Sequence, residues 1–143
     1  MVCVYCGSST QVINSRLQKR ANHIWRRRKC LSCGAIFTTE ERAALQSSLM
    51  VQTTSTQLQP FSRDYLFTSV HDSCRHRASS IEDATALTQT IITELLRGQH
   101  SGIVHLRDII HTTHGVLLRF DKAAATFYAA YHPEPAGGPD ITS

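Results

Sequence analysis

From residue 62 to residue 131, apolar side chains recur at steps of three and four, the signature of helices that bury one face. Leu66, Val70 and Cys74 make a first stripe, with Ser62 placed to cap it. Ile81, Ala84, Leu87, Ile91 and Leu95 make a second, which opens at Ser79 or Ser80 with Glu82 and Asp83 in its first turn and stops at Gly98. A third helix is predicted from about Ile103 to Leu118 on Leu106, Ile109, Ile110 and Leu117. Asp121 opens a fourth, whose Ala124, Phe127, Tyr128 and Tyr131 supply an aromatic face. The prolines and glycines after His132 break any helix, and residues 132–143 read as a disordered tail.

Residues 1–61 have a different texture. Short extended pieces fall at residues 11–13, 24–26 and 35–39, and residues 40–45 predict a helical turn capped by Thr38 or Thr39. Residues 46–48 read as a joint. Beyond it, residues 48–51 and 57–59 predict a short hairpin connected through the Thr/Ser stretch 53–56. The fold class is therefore α+β, with a small β unit over 1–45, a mainly helical unit with a short β-hairpin over 46–131, and the tail 132–143. No internal repeat is present.

Composition fixes the scale. A chain of 143 residues, 41% hydrophobic, has room for a small stapled module and one domain with a real core. No run of 18 apolar residues exists, and Met1 leads into Val2 and Cys3 rather than a signal peptide, so a cytoplasmic protein with no membrane partner is expected. Charge is uneven. Residues 1–45 hold eight Lys/Arg against Glu40 and Glu41, a net of +6, which leaves −2 for the remainder of a chain whose total is +4. Such density on a small module points to nucleic acid, the alternative being a solvated face.

Candidate chemistry sits in the same segment. Cys3-Val4-Tyr5-Cys6 and Cys30-Leu31-Ser32-Cys33 form two Cys-x2-Cys pairs, each followed by a glycine, Gly7 and Gly34, that relieves a tight turn. Two such pairs wrap one Zn²⁺ in a closed thiolate tetrahedron, whereas one pair alone is equally a redox dithiol. Cys3, Cys6, Cys30 and Cys33 are the expected ligands of one structural zinc, and metal ligation is expected to supply most of this unit's folding free energy, about 10–16 kcal/mol in small metal modules. The run Arg26-Arg27-Arg28-Lys29, with Arg16 and Lys19 flanking, is the expected contact set for duplex DNA.

Other constellations have plainer readings. His100, His105, His111 and His114 suggest a second metal site, but they read as surface or packing residues. Cys74 reads as a small hydrophobe, and Phe127, Tyr128 and Tyr131 read as core rather than as an adenine platform. No Ser/His/Asp order, P-loop or paired-acid motif occurs, so an enzyme is not expected. An RNA-binding or RNA-polymerase-associated ribbon, and a protein-interaction module, are the rival classes.

The segments CVYCG, TQVINSR, IWRRRKC, CGAIFTTEER and QPFSRDYL, followed by a closing helix with Phe127-Tyr128-Ala129-Ala130-Tyr131, resemble the NrdR family of bacterial ribonucleotide-reductase repressors over residues 1 to about 131. The resemblance implies a zinc ribbon that binds operator DNA, then an ATP-cone, a small helical domain that senses ATP or dATP and sets the homo-oligomeric state. It thus implies a cytoplasmic, nucleoid-associated repressor. The cone departs from the family where phosphates would be held. Its hairpin, residues 52–58, carries no cation, Gln59 stands where the family places Glu, and Tyr65 where it places Lys. Weak or absent triphosphate binding is expected.

Overall fold

The computed structural model describes residues 1–53 and 56–133, and the predicted disorder of residues 134–143 lies outside them. The chain divides into two compact units, Met1–Ala44 and Leu45–Ser143.

The first unit is a three-stranded antiparallel sheet, β1 (Thr10–Gln18), β2 (His23–Cys30) and β3 (Ile36–Glu41), in the order β1-β2-β3. Its strands are longer than the predicted pieces because each cross-strand bond extends the ladder into polar sequence. The helical turn expected over 40–45 is absent. Glu40 and Glu41 instead continue β3, opposite Trp25 and Ile24. β1 is exposed almost throughout, and Val12, Ile13 and Leu17 face water. With so little apolar burial the sheet has no core of its own to rest on. The buried hydrophobic positions here are Cys3 and Cys30.

The second unit opens with the short helix α1 (Leu45–Ser48), where a joint was expected, and continues into β4 (Met50–Gln52) and β5 (Leu58–Pro60). These strands form the predicted antiparallel hairpin, Val51 opposite Gln59. Helices α2 (Arg63–Ser73) and α3 (Ser80–Leu96) follow, then strand β6 (Ile103–His105), α4 (Leu106–Phe120) and α5 (Lys122–Tyr131). The first three residues of the predicted third helix are thus a strand, parallel to β4 in a β5-β4-β6 sheet. Val104 is buried and its neighbours are exposed, the alternation of a half-buried strand.

Local chemistry explains the helix limits. Ser62 Oγ accepts from the Tyr65 amide at 3.1 Å, and Asp121 Oδ1 accepts from Ala123 and Ala124 at 2.8 and 3.3 Å. Gly98, with φ of 78°, ends α3 in the left-handed region. Val70, Ile91, Val104 and Leu117 are sealed at the centre of the core, each worth about 1.5–3 kcal/mol of burial. Ile81 is left exposed. On α5 the buried face is Ala124, Ala125 and Tyr128, so the aromatic face splits: Phe127 and Tyr131 lie outside the core, ring centroids 4.7 Å apart. Arg77 ties three helix ends together, donating to Asp83 at 2.8 Å and Asp121 at 3.2 Å and lying over the Phe120 ring.

Candidate metal centre and nucleic-acid interface

Two turns bring the four thiols together. In the first, Gly7 takes a φ of 75° and its amide donates to Cys3 O at 3.0 Å, while the Cys3 amide donates to Ser8 O at 2.8 Å. In the second, Gly34 takes a φ of 72° and the Cys30 amide donates to Ala35 O at 2.9 Å. Only a residue without Cβ adopts these angles freely, so both turns need their glycine. The β1–β2 ladder sets Thr10 opposite Cys30, and the Leu31 amide donates to Ser9 O at 3.1 Å, which holds one turn against the other.

The ligand atoms of Cys3, Cys6, Cys30 and Cys33 all lie within 4.8 Å of one another. Cys3 Sγ is 3.8 Å from Cys33 Sγ, and Cys6 Sγ is 3.5 Å from Cys30 Sγ. These separations are far too long for disulfides. A tetrahedron with Zn–S bonds of about 2.3 Å has edges of about 3.8 Å, so the four-cysteine cluster fits one zinc ion. Backbone amides already point at the sulfurs: Tyr5 N donates to Cys3 Sγ at 3.5 Å, and Ser32 N and Cys33 N each donate to Cys30 Sγ at 3.4 Å. Such bonds favour thiolate. The Ser8 hydroxyl and amide hold the Cys6 thiol down to about 6, and the Cys33 amide leads in lowering Cys30. The Ala35 amide favours a thiolate at Cys33 as well, but the neighbouring sulfurs outweigh it and push Cys33 up to about 12. Crowded thiols resist full ionisation until a cation neutralises them.

The six expected DNA-contact residues do not share one face. Along β2, alternation puts Trp25, Arg27 and Lys29 on one side and Arg26, Arg28 and Cys30 on the other. Side-chain partners confirm the division. Arg26 pairs with Glu41, and Arg28 Nε donates to Thr39 Oγ1 at 3.2 Å while its Nη1 reaches Thr10 Oγ1 at 3.5 Å. Arg27 and Lys29 are exposed and, among the described residues, make no side-chain hydrogen bond or ion pair. Arg16, opposite Trp25, joins their face, and Lys19 sits in the turn between β1 and β2.

A bulge makes that face continuous. Val12 pairs with Arg28 and Asn14 with Arg27, so Ile13 is the extra residue on β1. The polar positions of β1 slip phase at this point, from Gln11 to Asn14, Arg16 and Gln18. The bulge absorbs the slip and keeps all four on the side of Arg27 and Lys29. Reading the arginine run as one block missed this division; the signal available was the period of two that any strand imposes.

In the second unit, a cavity of about 290 Å³ opens between the hairpin and α2, α4 and α5. Gln59, Tyr65 and Thr53 line it beside Phe61, Ile110 and Tyr128, and its described lining holds no Lys or Arg. The Thr53 hydroxyl is buried without a hydrogen-bond partner. His111 is exposed and His114 half-buried, and among the described residues none of the four histidines joins a group of three metal-ligating side chains. Cys74 is fully buried, and burial pushes its thiol up.

Residues 1–41 match the family described as "Transcriptional repressor NrdR-like, N-terminal domain". The curated relatives extend the similarity through the helical unit. The protein named Transcriptional repressor NrdR of Tropheryma whipplei (strain Twist) is 33% identical over 94% of this chain and 88% of its own length. Its namesake from Frankia casuarinae is 32% identical over 92% of this chain and 71% of its own. The one from Symbiobacterium thermophilum is 35% identical over 66% of this chain, and the match spans 63% of that relative.

Proposed function

Because the chain belongs to the NrdR family, we propose that it is a zinc-dependent, DNA-binding transcriptional repressor of ribonucleotide reductase genes. One observation carries the reading: a cluster of four cysteines fit for one zinc stands at the end of a sheet whose one face holds the exposed cations Arg27, Lys29 and Arg16, which pair with no carboxylate among the described residues. A metal that fixes the two turns fixes the register of the strands growing out of them, and so the spacing of the cations. Zinc therefore acts structurally, by holding Cys3, Cys6, Cys30 and Cys33, while the protein's own cations meet phosphates.

Residues 1–45 act as the DNA-binding domain and residues 46–131 as the assembly domain through which copies of the chain associate on operator DNA. Arg16, Lys19, Arg27 and Lys29 make the direct contacts. Arg26 and Arg28 act mainly by bracing the sheet, through Glu41, Thr39 and Thr10. Among the described residues no helix is long and apolar enough to cross a membrane. The place of action is the cytoplasm, on the nucleoid, and the role is regulation rather than catalysis.

The test is binding by the zinc-loaded chain to duplexes from the ribonucleotide reductase promoters of the source genome, with shuffled duplexes and structured RNA as competitors. Promoter duplexes bound in preference to both, with binding abolished by chelation, support the reading. Preference for RNA, or binding unaffected by removal of zinc, overturns it.

A further inference from the structure

The sheet face that carries the free cations also carries amides, and their register is informative. Gln11 stands opposite Lys29, Asn14 opposite Arg27, and Arg16 opposite Trp25. Asn14 is exposed and, among the described residues, makes no side-chain hydrogen bond. Asn is depleted in strands because its short amide competes with the backbone, and here nothing in the ribbon offsets that cost. It also lies directly after the Ile13 bulge, the irregularity that returns β1 to the cationic side.

We infer that Asn14 and Arg27 together are the base-reading pair of this ribbon, Asn14 addressing adenine and Arg27 addressing guanine at neighbouring base pairs in the major groove. The inference rests on the DNA-binding reading above and deepens it. An Asn amide matches the donor and acceptor of the adenine major-groove edge, and a guanidinium matches the two acceptors of guanine. Directly opposed strand residues have Cα atoms about 4.5–5.5 Å apart, between one and two times the rise of about 3.4 Å between stacked base pairs, so two opposed side chains of unequal length can converge on adjacent steps. The other side of the sheet is unsuited to this work, since Arg26 and Arg28 are held within the ribbon there. The β3 border of the reading face carries Glu40, paired with Arg42 at 2.5 Å, and a carboxylate at that border favours placing the phosphates along β1 and β2.

The experiment uses the full zinc-loaded chain and a library of randomised duplexes, sequencing the bound fraction for wild type, Asn14→Ala and Ser15→Ala. Ser15 is the exposed neighbour whose partner, Arg26, places it on the opposite face. Metal analysis confirms one zinc in each variant, so a folding failure is visible as such. Wild type is expected to enrich a motif with an adenine next to a guanine, and Asn14→Ala to lose preference for that adenine by about 5- to 150-fold. Its salt dependence stays unchanged, and Ser15→Ala returns the wild-type motif. An Asn14→Ala motif identical to wild type, or uniform weakening across all sequences, overturns the assignment. Salt-dependent binding by wild type with no enriched motif also overturns it while leaving DNA binding intact. Failure of wild type to bind any duplex overturns the underlying reading instead.

Discussion

Cys6 Sγ and Cys30 Sγ, from turns 24 positions apart in sequence, lie 3.5 Å from each other, an edge of the thiolate tetrahedron that zinc requires. Because the sheet around them buries little apolar surface, zinc ligation across this edge and its counterpart from Cys3 to Cys33 is expected to supply most of the folding free energy of the first unit. One zinc per chain is expected by metal analysis. Cys30→Ser is expected to abolish zinc binding and the dispersed amide signals of residues 1–44, while far-UV circular dichroism retains the helices.

Acid should reach the same site through its thiolates. Cys6 is held at about 6 against an ordinary value of 9.0, a lowering led by the Ser8 hydroxyl. A lowered value means that the stabilisation is complete above the unfolded value near 9 and is lost as pH falls through the folded value near 6. Bound zinc holds its thiolates down further still, so zinc occupancy is expected to decline on acidification at a pH below about 6, and the protons taken up should be matched by metal released to a chromogenic chelator.

The division of the arginine run makes a second pair of variants informative. Arg27→Ala with Lys29→Ala removes two free cations, so the log–log salt slope for duplex DNA is expected to shrink by about 0.9 for each phosphate no longer neutralised. Arg28→Ala instead takes away a donor to Thr39 and Thr10, and is expected to lower the thermal midpoint of the ribbon more than the salt slope. Fluorescence anisotropy across a salt series measures the slopes. Equal slopes in the double variant and wild type would favour a protein-interaction module.

Two units with separate means of stabilisation should also fail separately. Ile91 is sealed in the helical core, and Ile91→Ala is expected to cost about 2–5 kcal/mol there through reduced burial and the cavity left behind. Zinc binding by the first unit should persist in this variant. Chemical denaturation read at the helices, alongside metal retention, checks both halves of the expectation.

How far the sequence disclosed this arrangement depended on the kind of signal. The cysteine pairs were legible because metal ligation demands fixed residue types at fixed spacing. Helices α2 and α5 were legible from their caps Ser62 and Asp121, and α3 from its apolar stripe, although Ser79 at its start makes no side-chain capping bond. Strand β6 was missed because three residues, Ile103 to His105, show little periodicity, and their pairing is set by β4, some fifty positions earlier. The two faces of β2 were missed for another reason: four adjacent cations look like one patch in a string, and only the strand's alternation with the partners Glu41, Thr39 and Thr10 separates them. Exposure of Phe127 and Tyr131 was equally hidden, since α5 buries Tyr128 with Ala124 and Ala125 and turns the other two rings outward.

The cavity of the helical unit bears on nucleotide binding. Family resemblance leads one to expect ATP or dATP, and a triphosphate needs cations or a row of free amides to replace its water. Tyr65, at the position where the family places Lys, lines the cavity beside Gln59, Phe61, Ile110 and Tyr128, and the described lining holds no Lys or Arg. The one absent charge-assisted hydrogen bond forgoes about 1.5–3 kcal/mol, which weakens a micromolar site by about 10- to 150-fold. ATP and dATP are therefore expected to bind weakly, and the helical unit to assemble without them. Calorimetric titration with each nucleotide, run beside light scattering, tests this. Low-micromolar binding that changes the assembled mass would mean that cations such as Arg63 or Arg119 reach the phosphates from outside the described lining.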